Sequence, residues 1–170
     1  AAFQGALMNS YVLRVEGACV VLQPVDAPQP EPGAGQVLLK MHAAGLNRGE
    51  FIPGGLIKGG ASKPAGIEGA GEIVALGAGV TGLQVGQRVM GRCPAAFSEY
   101  AVMDAREAMT VPAGLPMEVA AAVPLTFLVV HDMLVLQGRL KAGEWLLVAG
   151  VSSGVGVASL QAAKALGARV

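Results

Sequence analysis

The chain has 170 residues, is 53% hydrophobic, and balances 12 Lys and Arg against 12 Asp and Glu for a formal net charge of zero. That is the size of one ordinary domain, or of a small domain with part of a second. The few cations are scattered, which excludes the electrostatic footprint of a nucleic-acid binder, and no acidic tail or basic arm is present.

Residues 1–12 have neither a basic n-region nor a long apolar core, so no secretory signal is expected. Phe3, Gln4 and Gly5 resemble the remnant of a cleavable tag, and residues 1–5 are set aside from fold reasoning. From Tyr11 to about Thr110 short β-rich runs alternate with turn residues: "YVLRV", "VVLQPV", "QVLLKMHAAG", "GEIVALG", "QRVMGR" and "SEYAVMD". Each is about strand length and the runs are punctuated by Gly and Pro, a pattern that predicts a small β barrel or sandwich.

Beyond "VPAGLP" (111–116) the composition turns to Ala and Leu. Residues 117–122 and 124–137 are expected to be helical, with Pro124 acceptable only near a helix start. "GEWLLVAG" (143–150) reads as a buried strand, 154–166 as a helix closed by Gly167, and "ARV" as the opening of the next strand. The fold class expected is therefore mixed α and β: a β domain over 6–120, then a bridging helix and a β-α-β opening of a parallel, dinucleotide-type sheet over 121–170.

The longest apolar stretch, 119–130, holds Pro124 and Thr126. It is shorter than the ~20 residues that cross a bilayer, so no membrane partner is expected. Cys19 and Cys93 are the only cysteines and form no CxxC, which argues against a disulfide framework or a structural zinc site and for a reducing cytoplasm.

The stretch Gly150, Val151, Ser152, Ser153, Gly154, Val155, Gly156 leads from the predicted strand into a helix. Such a turn aims backbone N–H groups and the positive end of the helix dipole at one point, which suits a phosphate. Glycines allow the tight turn and close packing, and the Ser152 and Ser153 hydroxyls are expected to donate to a pyrophosphate oxygen. Ser153 stands where a plain GxGxxG has its middle glycine, and the GK[ST] ending of a P-loop is missing. The same stretch is also open to the plainer reading that small residues let the helix pack on its strand. A second glycine cluster, "GIEGAGEIVALG" (66–77), is read as preceding its strand, the wrong geometry for phosphate.

Several segments together, in order, resemble the medium-chain dehydrogenase/reductase superfamily, in particular its zinc-independent quinone oxidoreductase (zeta-crystallin-like) branch. They are "PEPGAGQVLLKMHAAGLNRGEF", "PAGIEGAGEIVALGAGVTGLQVGQRVMG", "FSEYAVMD", "AAVPLTFLVVHDML" and the 146–170 stretch. The resemblance implies a GroES-like β-barrel domain followed by the beginning of a Rossmann domain, with nicotinamide and substrate between them. It also implies that the chain is an N-terminal portion of a longer protein that is a homodimer when complete, the portion alone being inactive.

By the same resemblance, zinc alcohol dehydrogenases of the superfamily carry Cys where this chain has Asn47 and His where it has Ile67, beside Glu68. With both ligand types gone, no zinc or other metal is expected. Without a Lewis acid, hydride transfer favours an electron-poor quinone or an α,β-unsaturated carbonyl. The cofactor implied is NADPH, with NAD left open because the selecting residue would lie past Val170. Its cradle would comprise Asn47, Thr126 and the 150–156 turn. Asn47 would orient the reacting groups; as a plain sequence feature it also reads as a turn residue. Thr126 would replace, three residues earlier on one helix face, a threonine that relatives place at Val129.

Glu50, Phe51 and Ile52 occupy a stretch where relatives often place an acidic residue and a tyrosine. His42 and His131 have no partner of triad or metal type and read as structural, whereas Cys93 could face the site. Alternatives remain: an enoyl-thioester reductase, an alcohol or aldehyde oxidoreductase of the same superfamily, or a non-enzymatic nucleotide-binding member or inactive fragment.

Overall fold

A computed structural model describes residues 6–52 and 62–170. Residues 1–5, set aside above as a tag remnant, lie outside the described residues. The chain divides into two compact units between Ala122 and Val123.

The first unit opens on a hairpin. Strand β1 (Leu7–Glu16) pairs antiparallel with β2 (Cys19–Pro28) in unbroken register from Leu7↔Pro28 to Glu16↔Cys19. The turn between them is Gly17 and Ala18, and Gly17 has a φ of 60°. β1 buries Met8, Ser10 and Leu13 and exposes most residues between, as expected of a strand with one face on a core. Its other edge takes the two-residue β4 (Lys63–Pro64).

The second sheet has the order β7-β3-β5-β6-β8, every pair antiparallel. Its strands are β3 (Gln36–Ala44), β5 (Glu68–Leu76), β6 (Arg88–Arg92), β7 (Tyr100–Asp104) and the short β8 (Met109–Thr110). Val37, Leu39, Ile73, Val89, Ala101 and Met103 meet on one face, closed by Cys93 and Ala96. Side chains of this size contribute about 1.5–3 kcal/mol each when fully buried, so this cluster is the main driving force for the unit.

The two sheets are stitched by polar pairs. Ser10 and Ser98 share a buried hydroxyl hydrogen bond of 2.7 Å, and the Glu99 N–H donates to the Asn9 carbonyl at 3.1 Å. All six strands read from sequence are present, and the fold class is the mixed α and β arrangement expected.

Three details differ from expectation. The 66–77 glycine cluster does not precede its strand: β5 begins at Glu68, so Gly69 and Gly71 lie inside it and Gly66 and Gly77 flank it. Cys93 does not face a site. It is buried among the barrel apolar residues, and burial pushes its thiol up to about 12. The helix expected over 117–122 is a single turn, α1 (Met117–Ala120).

In the second unit, α2 (Pro124–His131) starts on a proline at its first turn, where no N–H is needed. It runs on through a π-helical segment, Asp132–Gln137, so the expected 124–137 span is helical throughout. α3 (Gly154–Ala165) ends at Gly167, whose φ of 78° lets the Ala168 N–H turn back to the Ala163 carbonyl. The two helices pack through Val130, Leu134, Ala158 and Ala163, with Phe127 and Leu146 at the margin.

The 143–150 segment does not form the buried strand predicted. It makes one parallel bridge, Trp145↔Arg169, through the Leu146 N–H to the Arg169 carbonyl and the Arg169 N–H to the Glu144 carbonyl, each 2.8 Å. Trp145 is 74% exposed and Leu147 95% exposed. A parallel strand is buried only when neighbours and crossover helices cover both faces, and one bridge supplies neither.

Candidate functional site

The turn from Gly150 into α3 is built by its own hydrogen bonds. Gly150 has a φ of 72°, a left-handed conformation that a side chain would strain. The Ser153 N–H and hydroxyl both donate to the Gly150 carbonyl, at 3.0 and 2.9 Å. The same Ser153 oxygen accepts from the Gly156 N–H at 3.0 Å and so caps the helix. Ser153 was expected to donate its hydroxyl proton to a phosphate. That proton is directed into the turn instead, so the serine shapes the site through its cap.

Gly156 is required by close approach, since a Cβ there would lie 2.6 Å from the Val151 Cα and strike the Gly150 carbonyl. The helix start therefore sits directly over the turn, while Val151, Ser152, Ser153, Gly154 and Val155 remain exposed. The N–H groups of Gly154 and Val155 occupy the first turn, where the helix itself offers no acceptor. Together with the dipole they form the anion-attracting end of α3.

Thr126, half-buried on α2, belongs to this unit as well. Its hydroxyl is 4.0 Å from the point a Cβ on Gly154 would occupy. The structure thus brings Thr126 to the mouth of the glycine turn, whereas Val129 is 40% exposed one turn on.

Asn47 lies in the first unit, just ahead of the 3₁₀ turn Arg48–Phe51. Its side-chain amide donates to the Glu68 Oε1 at 2.8 Å, joining the two sequence stretches singled out in the zinc argument. Glu68 is buried at the head of β5, while Ile67 is half-buried beside it. Glu50 is completely buried and accepts the Gly66 N–H at 2.9 Å. Burial pushes its carboxyl above the usual range and Glu68 adds to this, while the Gly66 N–H, Lys63 and the Asn47 backbone pull the other way.

Sequence reasoning noted Glu50 and Glu68 only as neighbours of other positions. The available signal was a carboxylate inside a Gly- and Ala-rich apolar strand, in "GIEGAGEIV". His42 and His131 are exposed. Among the described residues no three His, Cys, Asp or Glu side chains gather as a metal site.

Residues 33–113 match the alcohol dehydrogenase GroES-like domain. A mycobacterial quinone oxidoreductase superposes with a TM-score of 0.84 at 33% identity, over 96% of this chain and 51% of that one. A mycobacterial protein solved in complex with NADPH gives 0.83 at 33% identity, over 96% of this chain and 50% of its own. The CurK enoyl reductase gives 0.73 at 25% identity, over 93% of this chain and 52% of its own. Among curated sequences, a pikromycin polyketide synthase component of Streptomyces venezuelae is 41% identical over 145 residues, which is 83% of this chain and 4% of that protein. The chain thus spans about half the length of the solved relatives and a small part of the synthase. These likenesses identify residues 33–113 as an alcohol dehydrogenase GroES-like domain and the chain as a relative of the quinone oxidoreductases of the medium-chain dehydrogenase/reductase superfamily.

Proposed function

We propose that this chain is the substrate domain (6–120) and the opening of the nucleotide domain (121–170) of an NADPH-dependent, zinc-independent reductase of quinones or α,β-unsaturated carbonyls. The observation that carries the reading is the 150–156 turn: a positive-φ glycine, a capped helix start and a glycine under which no Cβ fits, with Thr126 at its mouth. This geometry fits the pyrophosphate of a dinucleotide.

The cofactor, when bound, supplies a hydride to an electron-poor carbon. The chain's residues bind and orient. The Gly154 and Val155 N–H groups face the phosphates, and Thr126 lines the mouth of the same turn. Asn47, its amide held by Glu68, orients the carbonyl of the acceptor. Zinc independence is supported by residue type, because an amide and an isoleucine stand where zinc relatives place a thiolate and an imidazole. The same reading takes the whole protein as a cytoplasmic homodimer and leaves NAD as the second cofactor to test.

A second reading, reduction of an enoyl thioester, is favoured by the likeness to CurK enoyl reductase and to the polyketide synthase component. The test is NADPH oxidation by the full-length protein against quinones, enones and enoyl thioesters, with NADH in parallel. Turnover of quinones or enones with NADPH supports the first reading, preference for thioesters the second, and inactivity on all three overturns both.

A further inference from the structure

Two carboxyl groups, those of Glu50 and Glu68, are buried in the first unit, and the charge of Glu68 acts on Glu50. Glu68 is 2% exposed and accepts the Asn47 amide. Glu50 is 0% exposed; its Oε1 accepts the Gly66 N–H, and its Oε2 has no hydrogen-bond partner among the described residues. Glutamate is almost never fully buried unless paired, and an ionised carboxylate with a single backbone donor is costly. We propose that Glu50 is a positioning residue that keeps its proton in the folded chain, its neutral carboxyl holding the 66–68 segment on the 45–50 turn so that the Asn47 amide keeps one direction.

The surrounding hydrogen bonds close a ring. The Glu50 N–H donates to the Asn47 carbonyl at 3.0 Å, and the Gly45 N–H donates to the Glu68 carbonyl at 3.1 Å. A Cβ on Gly45 would strike the Glu68 carboxyl group, so that group lies directly on the turn. With the Asn47 amide and Gly66 N–H each committed to one carboxyl, Asn47 is held at its carbonyl by Glu50 and at its amide by Glu68. Among the described residues, the charged groups facing Glu50 are Lys63, which favours its ionised form, and Glu68, which opposes it; burial is the largest influence and favours the neutral acid. Like charges sharing a low-dielectric site settle by one group holding its proton.

The consequence for substrate orientation rests on the reading of Asn47 under Proposed function, whereas the proton assignment does not and needs no substrate to test. The full chain is compared with Glu50→Gln, which keeps an acceptor for Gly66 and a donor in place of the O–H, and with Glu50→Ala. The infrared difference between wild type and Glu50→Gln at pH 7 is expected to contain the carbonyl band of a protonated carboxyl, moved by ¹³C-labelled glutamate.

A raised folded-state value means that stability is highest at low pH and falls as pH climbs from the ordinary 4.5 through the raised value. The wild-type urea midpoint is expected to show this fall and Glu50→Gln to lack it, while Glu50→Ala is lower throughout. Absence of the protonated band, a Glu50→Gln variant that fails to fold, or a midpoint as low as that of Glu50→Ala at pH 7 overturns the assignment. In the full-length protein, Glu50→Gln is expected to keep KM and kcat within about twofold, with Glu50→Ala losing kcat. If wild type turns over nothing while the infrared band is present, the functional reading fails and the proton assignment stands.

Discussion

At the scale of single residues, Ser153 and Cys93 show how a side chain's partners decide its chemistry. Ser153 donates to the Gly150 carbonyl and caps Gly156, so its loss affects the turn before any ligand. Ser153→Ala is expected to destabilise the chain by about 1 kcal/mol, the usual cost of a lost cap. In the full-length protein it should also weaken NADPH binding severalfold, read by thermal unfolding and by titration. Unchanged stability with weakened binding would mean that the hydroxyl reaches the phosphate after all. Cys93, with its thiol pushed up to about 12 and no exposed surface, is expected to resist a thiol reagent until urea unfolds the chain. Cys19 is exposed and should react at once, giving one fast equivalent and one released only on unfolding.

The form of the 150–156 turn was legible from residue types, because a glycine and a serine ahead of a helix suit a tight, capped start. What the sequence did not disclose was direction. Nothing in "GVSSGVG" says that Ser153 turns its proton inward, and nothing in "GLNRGEF" says that Glu50 turns fully inside while Arg48 stays out. Both follow from backbone geometry that alternation cannot encode in a 3₁₀ turn.

At the scale of elements, the six main strands were readable because each is a short β-rich run and Gly and Pro punctuate most of the boundaries between them. β4 and β8, two residues each, carry no period and exist only because β1 and β6 offer them an edge. The 143–150 segment fails in the opposite way: its apolar run predicts a strand, but a strand is made by its partners, and it has a single bridge. Gly156 tests how far the turn depends on element packing. Gly156→Ala drives a methyl into the Val151 backbone, so it should cost more than 1–2 kcal/mol despite alanine's higher helix propensity. An alanine that raises the melting temperature would show that the turn and α3 are not in contact.

At the scale of the whole molecule, the balance of charge and the distribution of apolar surface act together. The chain has no net charge at neutral pH, so nothing repels one copy from another there. The second unit exposes the large apolar side chains of Leu136, Trp145, Leu147 and Val151. The expected outcome is concentration-dependent association that is strongest near pH 7 and weakens as pH moves to 8.5 or 5.5, read by light scattering. Trp145 is the only tryptophan, and the Arg169 guanidinium lies 5.6 Å over its ring, so its emission reports on this surface alone. At low concentration the emission should be red-shifted and open to an aqueous quencher. On association it should shift to the blue and lose quenching, and Leu147→Lys, which adds charge at the most exposed apolar position, should suppress both changes. If scattering rises while Trp145 stays fully quenchable, association runs through the first unit instead, and the apolar surface of the second is not what brings copies together.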